Sequence, residues 1–219
     1  LKADLRVYDI NSSDDRLIPI QLTSDFDQTR DRWIKEPFTW LTSWNVSPDG
    51  DRVVLPSRGR VTVLPVKDGR IVEVARRQGT RFRNAKFSSD GERVLLLSDQ
   101  SGEFEFWSAP ANGVGNPRQL TKTSTVFNFA AVESPDGKML AYPDRDLQLR
   151  LHDVDRGVTK TLVTSENWRY YGLSWSPDSR WLAYGVNNDV ILGQLWIYDT
   201  KTGKHHVITS SRVDSWSPA

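Results

Sequence analysis

Only three side chains in this chain titrate near neutral pH as free groups: His152, His205 and His206. A nucleophilic triad would need one of them beside a serine and a carboxylate. His152 sits in "QLRLHDV", level with Tyr8, Leu64, Trp107 and Tyr198 in matching stretches. A position that accepts Tyr, Leu or Trp is a packing position, so His152 reads as core. His205 and His206 are adjacent in an edge strand, where neighbouring side chains face opposite ways. They are expected to be solvated and make a poor chelating pair. No G-x-S-x-G elbow, phosphate loop or dinucleotide fingerprint occurs.

Acidic clusters raise the question of calcium: "NSSDDR" at 11–16, Asp49–Asp51, Asp144–Asp146 and Asn187–Asp189. None carries the twelve-residue loop with its closing Glu, and all fall where hairpin turns are expected. "RRQGTRFR" places Arg76, Arg77, Arg81 and Arg83 at one junction between repeats. Guanidinium groups in such a cluster could hold a carboxylate or a phosphate of a peptide or anion, although solvated loop charges are the commoner reading. A second irregular stretch, 23–40, joins Asp25, Asp27 and Asp31 with Arg30, Arg32 and Lys35, and adds Trp33, Phe38 and Trp40. Long ordered connections of this kind are often functional, although an insertion that simply packs over one face of the fold is the plainer reading.

The elements that must position these groups repeat. Ser47-Pro48-Asp49-Gly50, Ser88-Ser89-Asp90-Gly91, Ser134-Pro135-Asp136-Gly137 and Ser176-Pro177-Asp178-Ser179 are four copies of one turn. Their aspartates are spaced 41, 46 and 42 residues apart. Pro presets φ for a type I turn, Asp tolerates the next position, and Gly supplies positive φ. An apolar run follows each copy: Val53–Leu55, Val94–Leu97, Met139–Tyr142 and Trp181–Tyr184. Continuous hydrophobicity predicts strands buried on both faces. Alternating strands come next, with Val61/Val63, Phe104/Phe106, Leu149/Leu151 and Leu195/Ile197 expected to point inward. A period in the forties with four strands per unit predicts an all-β fold, a β-propeller of four-stranded antiparallel blades.

The expected layout is one incomplete propeller domain over 1–219, a partial ring. It comprises a half blade at 1–22, a crossover at 23–40, blades at about 41–77, 82–121, 126–164 and 169–209, and the start of another at 210–219. Truncation inside a blade would leave apolar flanks and strand edges exposed, so association into homo-oligomers or aggregates is expected.

Composition fits an aromatic-rich β protein: nine Trp, eight Phe and six Tyr, with 14 Gly and 11 Pro. The balance of 29 basic and 28 acidic side chains argues against nucleic acid as a partner. There is no cysteine, hence no disulfide or thiolate metal site. No apolar run is long enough to span a membrane.

Wording beyond the turn carries a resemblance. "SDFDQTRDRW" (Ser24–Trp33) runs toward "LTSWNVSPDGDRVVLPSRGRVTVLPVKDGR" (Leu41–Arg70). "RFRNAKFSSDGERVLLLSDQSGEFEFW" (Arg81–Trp107) and "ANG" (Ala111–Gly113) follow. Together they resemble the propeller region of tricorn-like serine peptidases. The turn unit by itself is shared with TolB-type propellers and with those of prolyl oligopeptidase-like enzymes. The resemblance implies a non-catalytic scaffold that gates or channels peptide substrates toward a PDZ-like module and a Ser/His core further along the parent protein. None of that core's catalytic residues has a matching position here, and no cofactor or metal is implied. The alternatives are a non-enzymatic TolB-like protein-binding propeller and the propeller of a prolyl oligopeptidase-type hydrolase. A periplasmic or secreted location is expected by analogy with exported relatives, with the cytoplasm as the alternative.

Overall fold

The structure is a computed structural model and describes residues 5–19, 33, 35–122 and 126–216. The chain divides into two compact units, 1–37 and 38–219. In the first, β1 (Arg6–Asp9) pairs antiparallel with β2 (Asp14–Leu17) as an exposed hairpin. Asp9 Oδ1 accepts the Asn11 and Ser12 N–H groups and shapes its turn. Residues 20–32 and 34, most of the expected crossover, lie outside the described residues.

The second unit holds four antiparallel sheets of four strands each. Blade 1 is β3 (Asn45–Val46), β4 (Arg52–Ser57), β5 (Arg60–Pro65) and β6 (Val72–Ala75). Blade 2 is β7 (Phe82–Phe87), β8 (Arg93–Ser98), β9 (Glu105–Pro110) and β10 (Arg118–Gln119). Blade 3 is β11 (Val132–Glu133), β12 (Met139–Pro143), β13 (Gln148–Asp153) and β14 (Val158–Thr164). Blade 4 is β15 (Tyr171–Trp175), β16 (Trp181–Asn187), β17 (Gly193–Asp199) and β18 (His205–Val207). Residues 210–216 form no strand. Instead the Ser215 N–H donates to the Gly193 carbonyl, and the Asp214 carboxylate accepts the Gly193 N–H.

Three apolar cores lie between consecutive blades. Val54, Val61, Val63, Phe82, Val94 and Leu96 join blades 1 and 2. Leu95, Leu97 and Phe106 meet Leu140 and Tyr142 between blades 2 and 3. Ala141, Leu149 and Leu151 meet Tyr170, Leu182, Tyr184 and Tyr198 between blades 3 and 4. Burial follows from this stacking. Val94–Leu97 of blade 2 is buried throughout. In blades 1 and 4 the same run alternates: Val54, Leu182 and Tyr184 are buried, while Val53, Leu55, Trp181 and Ala183 are half-buried. Leu195 and Ile197, read from the sequence as inward, are likewise only half-buried. Their neighbours Trp196 and Tyr198 take the face toward blade 3. Among the described residues of the second unit, no further sheet follows blade 4.

The repeated turns close the first hairpin of each blade, and the serine does more than its place in the motif suggests. Gly50, Gly91, Gly137 and Ser179 donate their N–H groups to the carbonyls of Ser47, Ser88, Ser134 and Ser176 at 2.8–2.9 Å. Each serine hydroxyl then accepts the N–H five residues on, from Arg52, Arg93, Met139 or Trp181. It donates its own proton to a carboxylate: Asp90, Asp136 and Asp178 in blades 2 to 4, and Asp51 in blade 1. These bonds hold the four carboxylates below the usual range; burial opposes the shift and is the larger single influence at Asp136.

The two departures from the motif are both used between blades. Ser89 stands where the other copies have Pro, and its N–H donates to Glu133 Oε2 at 2.9 Å. Glu133 in turn occupies the position of Val46, Phe87 and Trp175, so two irregularities in successive blades satisfy each other. Ser179 stands where the others have Gly, at φ 59°, and its hydroxyl accepts the Asp136 N–H at 3.0 Å. Burial raises the Glu133 carboxyl above its ordinary value, and the Ser89 bond works against that rise. Ser89→Pro regularises the motif but leaves this half-buried carboxylate without its donor. A net loss of about 1–2 kcal/mol is expected at pH 7; it narrows as pH falls through the raised folded value of Glu133 and should be small by about pH 4, where the carboxyl is protonated. Urea unfolding at the two pH values checks it; an equal deficit at both would show that Glu133 is not the cause.

Candidate functional site: an arginine–aromatic face

In a four-stranded antiparallel blade the first and third hairpins lie at one end. The second hairpin and the links between blades lie at the other. The Ser-Asp turns take the first end. The second end carries a row of arginines held on aromatic rings.

In blade 1 the second hairpin turns at Arg58 and Gly59, both with positive φ (51° and 76°), as a two-residue type I′ loop requires. Gly59 fits closely here. Its carbonyl accepts the Phe82 N–H at 3.1 Å, and a Cβ would lie 3.4 Å from the Arg81 Cα. The Arg58 guanidinium lies over the Trp40 ring, 5.3 Å from its centre. Arg83 lies over Phe104 at 5.5 Å and Phe127 at 5.8 Å. Arg169 lies over Phe129 at 4.3 Å. Phe127 meets both Phe104 and Phe129 edge to face, at 5.6 and 5.2 Å. The rings therefore form one strip from blade 2 into the link before blade 3, with Arg83 over one end and Arg169, from the link before blade 4, over the other.

Two clefts open along this face. One, of about 410 Å³, is lined by Trp40, Thr42, Arg58, Arg81, Phe82 and Arg83. The other, of about 350 Å³, includes Phe129, Arg145, Trp168, Arg169 and Tyr171. Among the described residues, none of Arg58, Arg81, Arg83, Arg145 and Arg169 is in an ion pair. Asp99 binds the Arg81 backbone N–H instead of its side chain. Asp144, which lines the second cleft, is buried and taken by Arg150 at 2.8 Å. A larger cleft of about 730 Å³ lies at the other end of blades 1 and 2. Its acids, Asp49, Asp51 and Asp68, face Arg52, Lys67 and Arg70, so it has no net charge preference.

The four arginines picked out by sequence are thus divided. Arg81 and Arg83 line the first cleft together. Arg76 turns to Glu73 at 3.7 Å, and Arg77 does not line the cleft. Arg58 was missed, although "SRGR" marks a two-residue hairpin that puts its first central residue at the tip.

The histidines carry no triad. His152 is buried with Nδ1 at 2.9 Å from Thr159 Oγ1. His206 is exposed. His205 departs from the solvated-edge reading: it is half-buried, with Nδ1 at 2.8 Å from the Tyr184 hydroxyl and its ring on Tyr198 at 4.8 Å. Lys160 of blade 3 donates to the Tyr198 hydroxyl at 3.0 Å and completes a polar seam between blades 3 and 4. Burial holds His205 below its ordinary value. The seam's contribution to stability is full above about pH 6.5 and is lost as pH falls through the lowered folded value. His205→Asn should therefore flatten part of the fall in melting temperature between pH 7 and 5; an unchanged slope would assign it elsewhere. No group of three or more His, Cys, Asp or Glu residues among those described could hold a metal.

A family model described as the tricorn protease second beta propeller domain matches residues 41–219. The chain belongs to this family. The tricorn protease of Thermoplasma volcanium is 24% identical over 97% of the chain, which spans 21% of that protein's length. Among solved structures, the tricorn protease superposes with a TM-score of 0.71 at 17% identity, covering 94% of this chain and 20% of that one. A putative TolB from Agrobacterium tumefaciens gives 0.64 at 24% identity, covering 95% and 70%. At these identities the structural likenesses establish the propeller fold of this tricorn-family chain and nothing about its ligands. No helix among its described residues is long and apolar enough to cross a membrane.

Proposed function

We propose that this tricorn-family propeller is a non-catalytic part of a serine peptidase, a scaffold that gates peptides toward a Ser/His core elsewhere in the parent protein. The observation that carries the reading is the arginine–aromatic face. Among the described residues its arginines pair with no carboxylate, and the histidines are committed to core, seam and edge. The family supports the peptidase context, and peptides, a PDZ-like module and the catalytic core are the partners it entails, within a parent chain that self-associates. Of the two locations left open, we favour the cytoplasm, because the match to tricorn proteases, at 24% identity over 97% of the chain, exceeds that to a TolB homologue, at 22% over 72%.

The test is a peptide-hydrolysis assay on the full-length parent protein with a serine-directed covalent inhibitor, run beside this segment alone. Inhibitor-sensitive cleavage by the parent and none by the segment is the expected result. A parent that cleaves nothing would move the assignment to a TolB-like binding propeller.

A further inference from the structure

Resting on that reading, we propose that the two clefts of the arginine–aromatic face bind acidic side chains of an extended peptide, so that the propeller favours substrates with spaced carboxylates. A guanidinium stacked on a ring gives one flat face to the ring and keeps its N–H donors in plane, free at the edge. That edge matches a carboxylate with two parallel hydrogen bonds. The guanidiniums of Arg58, Arg83 and Arg169 lie over rings, 5.3, 5.5 and 4.3 Å from the ring centres, and Arg81 and Arg145 stand beside them in the same clefts. No described carboxylate pairs with any of the five.

The backbone adds a second observation. Positive φ disfavours a residue with a side chain, yet Arg58 takes it at 51° in a turn that Asn, Asp or Gly would fill with less strain. Strain kept at a position that aims a charged group into a cleft points to use of that group.

Two further features select the ligand. A single-stranded nucleic acid would need open ring faces to stack its bases. Here the rings of Trp40, Phe104, Phe127 and Phe129 already carry arginines. The chain's net charge of +1 also lacks the surplus that phosphate backbones require. The cleft pattern, arginines beside a tryptophan, occurs twice, around Trp40 and around Trp168. One carboxylate fills one cleft; two spaced along a chain fill both.

The experiment uses dye-labelled, C-terminally amidated peptides of about a dozen residues, read by fluorescence anisotropy on the full-length parent protein with its catalytic serine blocked. One peptide carries two separated Glu residues, one carries Gln instead, and one is neutral with a free C-terminus. The Glu peptide is expected to bind about tenfold or more tighter than the Gln peptide, with the free C-terminus in between. Arg58→Ala with Arg81→Ala, which disables one of the two clefts, should cut that preference to about threefold. Arg58→Lys with Arg81→Lys, which keeps charge without the two-pronged geometry, should remove part of it at an unchanged melting temperature. Equal binding of Glu and Gln peptides, no effect of either double variant, or displacement by oligothymidylate at lower concentration than by the Glu peptide would each overturn the proposal. Cleavage tells its failure apart from failure of the peptidase reading. An unblocked parent that cleaves Gln and Glu peptides alike defeats only the acidic preference. One that binds the Glu peptide selectively and cleaves none defeats only the peptidase reading.

Discussion

Phe106→Ala is expected to cost about 3–5 kcal/mol of stability, the range for emptying a large aromatic from a closed core. Phe106 is 2% exposed, sits on β9, and meets the Tyr142 ring across the blade 2–blade 3 boundary with centres 4.6 Å apart. Leu95, Leu97 and Leu140 share this core with the pair, so removing the ring leaves a cavity among packed side chains. Tyr142 is itself so enclosed that its hydroxyl is pushed up to about 12. The neighbouring Phe104 is half-buried, with Arg83 over its ring. Phe104→Ala should cost well under half as much. Denaturant midpoints of the two variants decide the matter. A similar cost for both would mean that the boundary between blades 2 and 3 is not the tight core described here.

Asp144→Ala is the second large effect, expected at about 2–3 kcal/mol. The carboxylate is 1% exposed; one oxygen takes the Arg150 Nε at 2.8 Å and the other takes the Gln148 N–H at 3.0 Å. It therefore closes the hairpin between β12 and β13 and neutralises a half-buried cation in one stroke. The loss falls short of that for a fully buried pair because Arg150 also reaches Thr161 and keeps some solvent. Asp144→Asn retains an acceptor for Gln148 and should lose less. Hydrogen exchange at the amides of Gln148 and Leu149 would show whether the opening is local to this hairpin, as expected, or global.

Much of the architecture could be read from four short turns. Spacing in the forties, an apolar run and an alternating strand after each turn suffice for antiparallel blades, because each signal is local and each blade is built from neighbours in sequence. The roles of the serines were less visible. That Ser134 bridges Met139 and Asp136 depends on the hairpin being closed, a fact of geometry and not of residue type. The arginine–aromatic face was visible only in part. Arg81 and Arg83 could be flagged because they are close in sequence. The pairs that define the site join Arg58 to Trp40, Arg83 to Phe127 and Arg169 to Phe129, across links whose course no local pattern fixes. His205 misled for a related reason. Its strand is an edge within its own sheet, but blade 3 supplies Lys160 and turns one side of that edge into an interior.

The irregular turns have a consequence for the order of the blades. Blade 1 meets blade 2 through Arg52 Nη2 on the Gly91 carbonyl and Asn45 Oδ1 on the Phe87 N–H. Blade 2 meets blade 3 through Ser89 and Glu133, and blade 3 meets blade 4 through Asp136 and Ser179. No two of these junctions use the same chemistry. The blades look interchangeable in their strands, yet each carries an address that only its proper successor can answer. Copying or exchanging a blade would preserve every strand and still set Glu133 against a proline that has no hydrogen to give. The places where the repeat is misspelt are thus where the chain records its own sequence of assembly.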